Sequence, residues 1–120
     1  MTWQSIRLEL EATRDFPKGS ASRAYILRLP LTASGAIDAE ALTRAPQQAT
    51  VRRLWPSEPD LSGHAVQVDG HLAFYARQDS GGGIFSTLNM PVLREGASIT
   101  VSERGGEPLP FRVARLSASR

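Results

Sequence analysis

The sequence predicts an all-β domain: a small β-barrel or a strongly bent two-sheet sandwich of about seven or eight antiparallel strands, with one short helix. Three observations carry this. Apolar residues alternate with polar ones at a period of two in several separate stretches. Asp69-Gly70 sits between two strand-like runs, the strongest short-range hairpin signal, because both turn residues need positive φ. Eight prolines and ten glycines cut the chain into short pieces, as many tight turns require.

In chain order, Gln4 to Ala12 places Ile6, Leu8, Leu10 and Ala12 on one face and Arg7, Glu9 and Glu11 on the other, a half-buried strand. Turn chemistry from Asp15 to Ser20 ends it. A second strand runs from about Arg23 to Leu31, with Tyr25, Leu27, Leu29 and Leu31 on one face; Pro30 is expected to end it or mark an edge. Ile37 to Arg44 is the helix, with Asp38 as N-cap, an Ile37–Leu42 contact across the cap, and Pro46 as its limit. It is too short to stand alone and must lie against the sheet.

Thr50 to Trp55 reads as the third strand, closed by Pro56 to Asp60. The hairpin follows: His64 to Val68, then Asp69-Gly70, then His71 to Arg77. A two-residue loop pairs Val68 with His71, Val66 with Ala73 and His64 with Tyr75, and puts all of them on one face. Gly81-Gly82-Gly83 is a loop; it lacks the Lys-Ser/Thr of a phosphate cradle, and no helix pattern begins there. Ile84 to Leu88 is another strand. Ile99 with Val101, and Phe111 with Val113, give two more around a Gly105-Gly106 turn. The expected core is Ile6, Leu8, Leu10, Tyr25, Leu27, Leu29, Val51, Phe74, Ile99, Val101, Phe111 and Val113. Closing the sheet removes exposed edges and suits a monomer, whereas an open edge favours a homodimer.

The 120 residues suit one domain, residues 1–120. With no cysteine, a disulfide framework, a cysteine-ligated metal and a cysteine nucleophile are excluded. Two histidines do not make a three-histidine metal site, and no metal or other cofactor is expected. At about 3.3 Å per residue, His64 and His71 stand roughly 13 Å apart and cannot share a metal. No stretch is long and apolar enough to span a bilayer, and the N-terminal residues show no signal-peptide pattern, so no membrane partner and a cytoplasmic location are expected. Fourteen basic residues against 12 acidic ones give a net charge of +2, spread along the chain, which reads as a mixed solvated surface rather than a nucleic-acid footprint. Glu9 with Glu11, and Glu103 with Glu107, are expected to be solvated.

The candidate ligand site is the segment carrying Arg52, Arg53, Trp55, Glu58 and Asp60. Arginine forks beside an indole face suit a phosphate, a carboxylate or a nucleobase, and Pro56 and Pro59 stiffen the loop. In the competing structural reading Trp55 plugs a barrel end, and the two arginines pair with Glu58 and Asp60. Arg52-Arg53 followed by Asp60-Leu61-Ser62 resembles the arginine and Asp-x-Ser motifs of the cyclic di-guanylate-binding PilZ barrels. That resemblance implies a β-barrel and a cyclic-dinucleotide ligand. The sequence departs from the family in its adjacent arginines, in the short gap to Asp60, and in Ala65 where a glycine belongs.

The expected function is a non-enzymatic binding module for a partner protein or a small anionic ligand. One alternative is an enzyme using His64 or His71 with a carboxylate brought near by folding. Another is a nucleic-acid-binding barrel that stacks bases on Trp55 or Tyr75.

Overall fold

The computed structural model describes residues 1–103 and 105–119. Eight strands form a closed antiparallel barrel: β1 (Thr2–Leu10), β2 (Ser20–Leu31), β3 (Thr50–Leu54), β4 (Leu61–Val68), β5 (His71–Ala76), β6 (Ile84–Asn89), β7 (Ser98–Glu103) and β8 (Pro108–Ala118). Each strand pairs with its neighbour in sequence, and β8 returns to pair with β1. Of the two forms the alternation allowed, this is the barrel, and it leaves no open sheet edge.

Alternation sets what lies inside. Ile6, Leu8 and Leu10 of β1, Tyr25, Leu27 and Leu29 of β2, Val51 of β3, Phe74 of β5, Val101 of β7, and Phe111 and Val113 of β8 are all buried in one core. Ile99 is the exception among the expected core residues; it is half-buried against the cluster. Phe85, Leu72 and Leu93 complete the interior. Eight strands leave an interior just wide enough for side chains to fill. Tyr25 meets Phe111 edge to face with centroids 5.2 Å apart and Phe74 at 5.6 Å, and Phe74 lies 6.1 Å from Phe85.

The two barrel ends differ. One carries the β2–β3, β4–β5 and β6–β7 connections. The first of these contains α1 (Ala39–Arg44), with Ala41 and Leu42 buried and the Asp38 carboxylate accepting from the Ala41 amide at 3.0 Å. The Asp69-Gly70 turn lies at the same end, with φ of 48° and 78°, and the hairpin register is the one the two-residue loop requires. The opposite end, here called the mouth, carries the β1–β2, β3–β4, β5–β6 and β7–β8 connections.

β2 continues through Pro30 to Leu31 instead of stopping there. The Pro30 carbonyl accepts from the Asp38 amide, so its nitrogen points to the same flank, where β3 pairing has already ended at Leu27. The missing N–H therefore breaks no ladder bond. No helix among the described residues is long and apolar enough to cross a membrane.

Candidate functional site

Arg52 and Arg53 are neighbours in a strand, so they face opposite ways. Arg53 lies opposite Tyr25 in the β2–β3 ladder and enters the mouth. There it meets Glu103, which follows Val101 by two residues on the inner face of β7. Glu103 is buried, which corrects its expected solvation. The alternation that places Val101 inside also places Glu103 inside; the nearby glycine turn hid this signal.

Arg53 donates from Nε and Nη2 to Glu103 Oε1 at 3.0 and 2.8 Å, and from Nη1 to Glu58 at 3.2 Å. Tyr25 donates its hydroxyl proton to the other Glu103 oxygen, so the Ser86 hydroxyl 2.6 Å away is the donor to Tyr25. The Arg53 guanidinium lies 4.0 Å over the Trp55 ring, and Trp55 packs on Phe111 at 6.5 Å. Arg23 stacks 4.0 Å over Phe16 beside them. Burial pushes the Tyr25 hydroxyl well above the ordinary tyrosine range, and the adjacent Glu103 carboxylate adds to the shift. Burial works against the Arg53 charge, but Glu103 outweighs it and holds the guanidinium firmly protonated. Arg53, Glu103, Tyr25 and Ser86 satisfy one another, so this network closes the barrel interior, while Arg23 Nε beside it is a buried donor with no partner among the described residues.

Arg52 faces outward and pairs with Asp60 at 3.1 Å, with about half of each side chain exposed. It lies in a groove of about 490 Å³ across the outer surface of β1 to β4, a volume typical of small-molecule sites. The ladders explain the lining. Ile26 lies opposite Arg52, and Arg52 opposite Ser62; Ser5 lies opposite Arg28, and Thr50 opposite His64. Arg77, just past β5, joins where its amide donates to the Ser62 carbonyl at 2.9 Å. Gly63 forms part of the floor; a Cβ there would lie 1.7 Å from the Tyr75 carbonyl oxygen, so no larger residue fits.

Arg28 is held in place by neutral groups. Its Nε donates to Ser119 at 2.7 Å, its Nη1 donates to the Gln48 backbone and side-chain oxygens at 3.1 and 3.2 Å, and it lies 4.7 Å over the Trp3 ring. The groove wall thus carries Arg28, Arg52, Arg77 and His64 with several hydroxyls, and no Asp or Glu among its lining residues.

The five residues picked from the sequence therefore separate. Arg53, Trp55 and Glu58 gather at the mouth, while Arg52 belongs to the groove and Asp60 to its rim. Arg28, Thr50 and Arg77 escaped the sequence reading because only the strand order brings them together, while Ser62 entered it only through the Asp-x-Ser resemblance. His71 is exposed and contacts the Asp69 carbonyl at 3.0 Å. Among the described residues neither histidine bonds a carboxylate, and no group of three or more His, Asp and Glu side chains is placed to hold a metal. Comparison with family models, with curated proteins and with solved structures finds no match for this chain.

Proposed function

We propose that this domain is a non-enzymatic, cytoplasmic binding module for a small anionic ligand, and that the ligand sits in the outer groove of β1 to β4. One observation carries this reading: three arginines and a histidine converge on a single concave surface whose described lining residues include no Asp or Glu, with Asp60 and Asp79 reaching Arg52 and Arg77 only from its rim. Guanidinium forks match phosphate and carboxylate oxygens, and Thr50 and Ser62 add neutral donors. The Ile26 side chain gives an apolar patch for the body of the ligand.

The test is calorimetric titration and thermal shift with inorganic tripolyphosphate, ATP and cyclic di-guanylate. A ligand that binds only the folded state raises the melting temperature as its concentration passes the dissociation constant. The expected result is saturable binding that weakens about tenfold or more in Arg28→Gln with Arg52→Gln, since each lost charge-assisted bond is worth on the order of 1–2 kcal/mol. No binding at millimolar ligand, or equal binding by the double variant, overturns the assignment.

A further inference from the structure

Two of the groove's cations already hold carboxylates from the mouth loops. Arg52 pairs with Asp60 of the β3–β4 connection at 3.1 Å, and Arg77 pairs with Asp79 of the β5–β6 connection at 3.2 Å. Both pairs are open to solvent, with side-chain exposures of 54% and 47% in the first and 60% and 68% in the second. Such pairs contribute little to stability and exchange readily. Each carboxylate is nonetheless tethered close to its arginine, at an effective concentration on the order of millimolar. A ligand with one anionic group competes poorly against that. A ligand with linked anionic groups displaces both carboxylates, because its second contact is also intramolecular.

The cations are spaced for such a ligand. Arg28 and Arg52 lie on the adjacent strands β2 and β3, and Arg77 lies beyond β4. Arg52 and Arg77 share one row through Ser62, roughly 10 Å apart at about 4.8 Å between strands, and Arg28 stands one strand over and two residues along from that row. Guanidiniums and hydroxyls supply donors in excess, which suits the acceptor-only oxygens of phosphate.

We infer, resting on the anion-binding reading above, that the groove takes a polyphosphate-type ligand with two or more linked phosphate groups, and that Arg52 and Arg77 bind it by exchanging Asp60 and Asp79 for its oxygens. Arg28 is the fixed anchor, and the two aspartates are internal competitors that set the threshold of ligand charge.

The experiment is calorimetric titration of the full chain with inorganic tripolyphosphate and with inorganic phosphate. Tripolyphosphate is expected to bind at least tenfold more tightly than phosphate. Asp60→Asn is expected to tighten tripolyphosphate binding about two- to fivefold, the range an exposed ion pair allows. That gain should vanish in an Arg52→Gln background, because no pair remains to break. Asp79→Asn should behave the same way against Arg77→Gln, while Glu40→Gln, on α1 at the other end, should change nothing. If the wild-type chain binds neither anion, the anion-binding reading itself falls. If it binds, and Arg28→Gln weakens it, but Asp60→Asn gives no gain or an equal gain with Arg52→Gln, exchange alone is overturned. Equal affinities for phosphate and tripolyphosphate overturn the multivalent ligand.

Discussion

Arg52 and Arg53 are adjacent in sequence and identical in chemistry, yet the barrel puts them to opposite uses. Arg53 is 12% exposed and bonds a carboxylate that is 8% exposed; Arg52 is 54% exposed and holds an aspartate on the surface. A buried ion pair is costly to break because either partner alone is a charge out of water. A surface pair is cheap to break. The mouth cluster therefore has the properties of a structural device, and the groove has those of a site that can change partners.

Removing each arginine in turn should separate the two roles. Arg53→Ala leaves Glu103 buried without its cation, and a loss of about 3–5 kcal/mol in denaturant unfolding is expected. Replacing both members, Arg53→Met with Glu103→Leu, should recover most of that loss, since well-packed apolar pairs often match buried ion pairs.

Tyr25→Phe comes next. It leaves Glu103 Oε2 and the Ser86 hydroxyl without their partner, for about 1–3 kcal/mol. The Tyr25 hydroxyl titrates above its unfolded value, so its contribution is complete below the unfolded tyrosine value of about 10 and is lost as pH rises from there toward the folded value. Unfolding midpoints should therefore fall above about pH 10 in the wild-type chain, and less steeply in Tyr25→Phe. The smallest effect on stability belongs to Arg52→Gln, at about 1 kcal/mol or less, although it should clearly weaken anion binding.

The fold was largely legible. Period-two alternation placed Ile6, Leu8, Tyr25, Val51 and Phe111 inside, and Asp69-Gly70 fixed one hairpin register outright, because these signals are local. The site was legible only in part. The sequence marks Arg52 to Asp60 as unusual, and a strand over Thr50 to Trp55 with Val51 inside already turns Arg53 inward and Arg52 outward, but the inward partner Glu103 lies 50 residues away and cannot be read locally. Glu103 was hidden by its position beside a turn, where carboxylates are usually solvated. Arg28 and Arg77 lie far from Arg52 in sequence, and only the pairing of β2, β3, β4 and β5 as neighbours makes them one surface.

In this reading the groove, and not the mouth interior, receives the anion. Backbone amide chemical shifts followed during titration with tripolyphosphate test it directly. The changes are expected to centre on Ile26, Arg28, Thr50, Arg52, Ser62 and His64, with weaker ones reaching the loops of Asp60 and Asp79. Changes centred on Phe16, Arg23, Trp55 and Glu103 with a silent groove would contradict it.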